Sequence, residues 1–140
     1  MKKSDLLFVL LVGLVYFVIL SGLVKTASVE GVSMYPIFQN GYLVFYQSPT
    51  NVHVGDVVIY VSHNGYVIHE VVEIHGQYYI TKGVDPYTNS QTDNVIGLEP
   101  SYGLSIGQIV GKAVKVNGQF IAIPYLGYLS IIFNSLQRPY

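Results

Sequence analysis

From Leu6 to Val24 the chain is continuously apolar except for Tyr16, Ser21 and two glycines. A helix over that run is about 28 Å long, close to the ~30 Å hydrocarbon core of a bilayer. A core helix would carry a polar face, and none interrupts this stretch. A cleavable signal peptide has a shorter apolar segment and a small-x-small exit, where this chain has Lys25. The pattern therefore predicts one transmembrane signal anchor, with residues 1–27 forming the N-terminus and the span. Lys2, Lys3 and the amino group precede the run, and Lys25 is the only Lys or Arg after it until Lys82. That asymmetry predicts a cytoplasmic N-terminus, a single-pass protein of the cell membrane, and an extracytoplasmic domain over residues 28–140.

Beyond Lys25 the pattern turns strand-like. Asn40-Gly41, Asn64-Gly65 and Asn117-Gly118 are each flanked by β-branched and aromatic residues, and His75-Gly76-Gln77 divides two further apolar runs. Asn-Gly suits a two-residue hairpin turn because both central positions take positive φ. Strands are predicted over Val57–Ser62, Tyr66–Ile74, Tyr78–Lys82, Ile109–Val116 and Gln119–Ile123. The fold class is thus mainly β: an N-terminal transmembrane helix followed by an antiparallel sheet. Gly83 to Ser105 is rich in Asp, Asn, Ser, Thr, Pro and Gly and reads as a long loop, of a length that is usually functional or disordered. Leu126 to Leu136 is apolar but too short to span a bilayer.

Composition narrows the chemistry. The 140 residues suffice for one domain plus an anchor. A net charge of −1 without a Lys/Arg cluster gives no reason to expect nucleic acid. The absence of cysteine removes disulfides, thiolate metal sites and a Cys nucleophile. Four histidines without paired spacing argue against zinc, so neither a metal nor a cofactor is expected.

Ser33 lies in the Gly/Pro-bracketed segment Gly31-Val32-Ser33-Met34-Tyr35-Pro36, nine residues after the apolar run. A serine hydroxyl needs a base to become a nucleophile. His63 and His75 fall in turns and His53 in a loop, whereas His69 lies within a predicted strand and is the candidate base. A carboxylate must then fix the imidazole. Asp85 and Asp93 in the polar loop are both candidates, while Asp56 reads as a turn residue. Lys82 is a rival base, since a desolvated lysine also activates serine.

These segments resemble the type I signal peptidases of the archaeal and endoplasmic-reticulum branch. Ser33-Met34-Tyr35-Pro36 is similar to that family's nucleophile box, Gly55-Asp56-Val57-Val58 to its Gly-Asp-Val-Val strand, and Ile68-His69 to the strand bearing its base. Thr81-Lys82-Gly83 with the following acidic residues resembles its Lys-Gly-Asp box, and Gly111 with Pro124 to Tyr128 its closing segment. The likeness covers Gly31 to about Tyr128. Glu70 stands where the family carries arginine, and Val84 separates Gly83 from Asp85.

The resemblance implies a signal-peptidase-like catalytic domain and a membrane-bound serine endopeptidase, processing secreted or membrane preproteins after the apolar core of the signal peptide. Ser33 would be the nucleophile, His69 the general base and Asp93 its orienter, with Asp85 as the substitute. Met34 is expected among the substrate-binding residues. Implied partners are signal peptides, the lipid bilayer and the protein-translocation channel. Two other readings stay open: a catalytically silent anchored β-domain serving a secretion complex, and a related peptidase dedicated to one precursor class.

Overall fold

In the computed structural model, which describes residues 1–63, 65–129 and 131–132, the apolar N-terminal run is not helical to its end. Helix α1 covers Lys3–Leu20, and its first turn is polar, with Lys3, Ser4 and Asp5. At the other end Ser21 Oγ donates to the Val18 carbonyl at 2.9 Å and Gly22 adopts φ +74°, a left-handed position that terminates helices. The apolar helical part is therefore 6–20, about 22 Å. Among the described residues no helix is long and apolar enough to cross a membrane, which corrects the transmembrane anchor expected over Leu6–Val24. The run contains enough apolar residues, but Ser21 and Gly22 end the helix before it is used up.

The chain enters the sheet at once. Strand β1 (Lys25–Ser28) pairs antiparallel with β2 (Leu43–Gln47), so the sheet begins inside the segment assigned to the anchor. Strands β3 (Val57–Ser62), β4 (Gly65–His75) and β5 (Tyr78–Lys82) form an antiparallel meander. A short helix α2 (Asp93–Ile96) and a 3₁₀ turn (Ile106–Gln108) precede β6 (Ile109–Ala113). The pairs β7 (Lys115–Val116) with β8 (Gln119–Phe120), and β9 (Ala122–Ile123) with β2, follow. The main sheet runs β1-β2-β6-β3-β4-β5, with β9 also on β2.

Turn chemistry explains much of this. Asn117 and Gly118 have φ +51° and +78°, as a two-residue hairpin turn requires, and they join β7 to β8. Gly76 takes φ +60° where His75 pairs with Tyr78. At the β3–β4 corner Ser62 pairs with Gly65, and Asn64 lies outside the described residues. Asn40-Gly41 does not close a two-residue hairpin. Gly41 N–H returns to the Val29 carbonyl at 2.9 Å, closing the loop that carries Ser33. Residues 127–129 and 131–132 are helical; residues 133–136 of the predicted apolar stretch lie outside the described residues.

Strand β3 is buried on both faces and divides the core. Val57 packs with Val29, Met34, Phe38, Val44 and Ala113. Val58 and Tyr60 pack on the other side with Val52, Val71, Leu104 and Ile109.

Candidate active site

Alternation along β4 places His69 on the same face as Val67 and Val71, against Val58 and Tyr60. The imidazole replaces an apolar side chain there and is 4 % exposed, so its polar edge needs a partner. That partner comes from the long polar segment. Its only α-helix among the described residues, α2, begins with Asp93, and Thr92 precedes it in extended conformation as N-cap. Leu98 and Glu99 N–H groups close back on the Asp93 carbonyl and tuck the turn under the sheet.

Three donors converge on one oxygen of Asp93. His69 Nδ1 lies 2.5 Å from Oδ2, Thr81 Oγ1 donates at 2.6 Å and Tyr60 Oη at 2.8 Å. Asp93 is fully buried. Burial alone would raise its pKa, but hydrogen bonds from His69, Thr81 and Tyr60, together with the His69 charge, outweigh it and hold the carboxyl below its ordinary value. Burial, and then the adjacent Asp93, push the Tyr60 phenol upward, so it remains a donor. An ionised carboxylate only accepts, so Nδ1 of His69 carries the ring proton in this pair. In the neutral ring Nε2 then holds a lone pair.

Ser33 is positioned by its carbonyl. That oxygen accepts the N–H groups of Val84 at 2.7 Å and Asp85 at 3.0 Å, and Asn89 Nδ2 at 3.3 Å. Gly31, at φ +89°, bends the chain into the turn and donates its N–H to Asn40 Oδ1 at 2.8 Å. Strand β5 ends at Lys82, opposite Glu70, and the chain continues directly into the residues that grip Ser33. The Ser33 loop thus stands where β5 would have continued alongside His69.

Both residues line one cavity of about 1010 Å³. Its walls include Thr26, Ala27 and Ser28 of β1 and Gly65 to His69 of β4. These strands lie far apart in the sheet order, so the sheet curls around the cavity. Along β4, strand β5 covers Glu70–His75 and no further, which leaves the outer edge of Gly65–His69 without a strand partner among the described residues. Among those residues no hydrogen bond joins Ser33 Oγ to His69, and no acceptor takes the Ser33 N–H.

The other candidates fall elsewhere. Asp85 does not reach His69: its carboxylate accepts the Tyr87 N–H and the Thr88 hydroxyl, capping the turn that delivers Asn89 to Ser33. Met34 is fully buried in the core and is absent from the cavity wall, because the Ser33 turn points it inward as an anchor. Lys82 and Glu70 alternate away from Thr81 and His69 and line a separate cleft with Val72 and Gly83. Asp56 accepts the His53 N–H and pairs with Lys115 at 3.5 Å. His63 approaches Ser62 Oγ, and His75 pairs with Glu73 in the open. Among the described residues no three metal-ligating side chains gather.

Sequence reasoning missed Tyr60, Thr81 and Glu99. Glu99 receives the Thr81 N–H on Oε1 at 3.2 Å, and its Oε2 lies 2.8 Å from Thr81 Oγ1. The available signal was parity, because Tyr60 and Thr81 are polar-tipped residues on strand positions that face the core. Compared with known protein families and with curated proteins, the chain gave no match.

Proposed function

We propose that this chain is a serine endopeptidase that removes signal peptides from preproteins, with Ser33 as nucleophile, His69 as general base and Asp93 as its orienter. The observation that carries the reading is the buried His69–Asp93 pair, in which His69 lines the same cavity as Ser33. Ser33 Oγ attacks the scissile carbonyl carbon while His69 Nε2 takes its proton, and Asp93 stabilises the imidazolium. Collapse of the tetrahedral intermediate breaks the C–N bond, and His69 gives the proton to the departing amine. Water then hydrolyses the acyl-Ser33 ester, again with His69 as base. The Ser33 N–H is free to serve the oxyanion. In the resting site the Ser33–His69 hydrogen bond is unmade, and it closes when substrate fills the cavity.

The free edge of Gly65–His69 supports an extended peptide as substrate, since such an edge offers unpaired N–H and C=O groups to an added strand. The test uses a fluorogenic signal-peptide substrate with wild type, Ser33→Ala and His69→Ala. Cleavage by wild type alone, at the boundary of the signal peptide, is expected. Equal rates for wild type and Ser33→Ala would overturn the reading, and equal inactivity would favour the silent β-domain.

A further inference from the structure

We propose that Glu99 is a positioning residue of this site: a buried carboxylic acid that donates its proton to Thr81 Oγ1 and so commits the Thr81 hydroxyl to Asp93. This rests on the reading of Ser33, His69 and Asp93 as the reacting group. It follows from counting protons. Thr81 Oγ1 lies 2.6 Å from Asp93 Oδ2 and 2.8 Å from Glu99 Oε2, and a hydroxyl has one proton to give. Two carboxylates cannot both accept it, so one carboxyl must itself be the donor.

The surroundings decide which. Asp93 Oδ2 already faces His69 Nδ1–H and the Tyr60 hydroxyl, two donors that leave it as the charged partner. Among the described residues the Glu99 carboxyl hydrogen-bonds Thr81 alone, whose N–H reaches Oε1, while Oε2 faces the hydroxyl oxygen. A proton on Oε2 therefore satisfies Glu99 and Thr81 together, and Thr81 then donates to Asp93. Glu99 is 5 % exposed and joins no ion pair among the described residues. The titratable groups facing it are Asp93 from α2, His69 from β4 and Tyr60 from β3. Burial pushes the Glu99 carboxyl up to about 7, helped by the Asp93 charge and opposed by the hydrogen bonds Thr81 can give the ionised form and by the His69 charge.

Glu99 thus acts through Thr81 on the orientation of Asp93, and through Asp93 on His69. When Glu99 ionises, it competes for the Thr81 proton and places a second negative charge in a buried cluster built for one. The arrangement loosens on the alkaline side, where a Ser-His-Asp group lacking this acid would keep its full rate.

Glutamine is the matched replacement, because its amide donates to Thr81 Oγ1 while its carbonyl accepts the Thr81 N–H. With ¹³C-labelled glutamate in the full chain, the Glu99 carboxyl resonance, assigned by its loss in Glu99→Gln, is expected to titrate near 7. The ratio of Glu99→Gln to wild-type hydrolysis should be flat in acid and rise about tenfold through the alkaline range, the loss of one hydrogen bond to a charged group. Glu99→Ala should not be rescued in this way. A Glu99 carboxyl that titrates in the ordinary carboxylate range would overturn the proposal, as would a constant ratio at all pH values. The resonance is read on resting protein, so failure of Ser33→Ala to abolish hydrolysis would refute the peptidase and leave the Glu99 assignment standing.

Discussion

Asp93→Asn separates the two tasks assigned to one buried oxygen. In wild type Oδ2 accepts three hydrogen bonds, from His69, Thr81 and Tyr60. Converting each from a charge-assisted to a neutral bond costs about 1 kcal/mol, so about 3 kcal/mol is at stake. The asparagine amide nitrogen would occupy the place of Oδ1, which is buried without a partner, for a further cost of about 1–3 kcal/mol. Relief from burying a charge offsets part of this, leaving a net loss of about 3 kcal/mol. Urea unfolding followed by the fluorescence of the 13 tyrosines should show it as a midpoint lowered by about 1–3 M with an unchanged slope. The sign of the pH dependence is fixed by the depressed carboxyl. Its contribution is present above the unfolded value near 3.8 and is lost as pH falls through the folded one. The gap between variant and wild type should therefore close in acid. Hydrolysis should fall on the order of 10⁴-fold, since a neutral amide neither fixes the Nδ1–H tautomer nor balances the imidazolium. A variant as stable as wild type at neutral pH would refute the account, and so would a gap that persists unchanged in acid.

Glu99 should produce the opposite slope. Its folded carboxyl titrates at about 7 against an ordinary 4.5, so its contribution to stability is complete below the unfolded value and is lost as pH rises through 7. The change amounts to about 3 kcal/mol and falls between the unfolded value of 4.5 and about 7, and calorimetry on Glu99→Gln should show that decline removed. Lys82→Met should leave hydrolysis within about twofold, since Lys82 lines a cleft apart from Ser33 and its substitution touches no group of the site. A large loss would revive lysine as base. Gly83→Ala would place a Cβ 2.1 Å from Asn89 Oδ1, and Asn89 also holds the Ser33 carbonyl. About 1–3 kcal/mol of destabilisation is expected in urea unfolding, with a fall in hydrolysis beyond the unfolded fraction.

Local chemistry was readable wherever it is local. The β-branched and aromatic runs Val57–Ser62 and Tyr78–Lys82, bounded by turn residues, mark β3 and β5, and Asn117-Gly118 sets its own turn. Strands β1 and β2 were not readable, because Lys25–Ser28 is short and mixed and becomes a strand only by pairing across the intervening Ser33 loop. The same limit divides the two aspartates. Both read as loop residues, and what distinguishes them is the fold of 83–105: Asp85 caps a turn, whereas α2 carries Asp93 beneath β4. Glu99 was invisible for a stronger reason. A protonated acid is defined by which acceptors crowd a single hydroxyl, and no spacing along the chain encodes that crowding. At the N-terminus the failure ran the other way. Hydropathy counts apolar residues, but spanning a bilayer requires helical rise. Leu23 and Val24 add to the count and contribute no helix, because Ser21 binds back to Val18 and Gly22 turns left-handed before them.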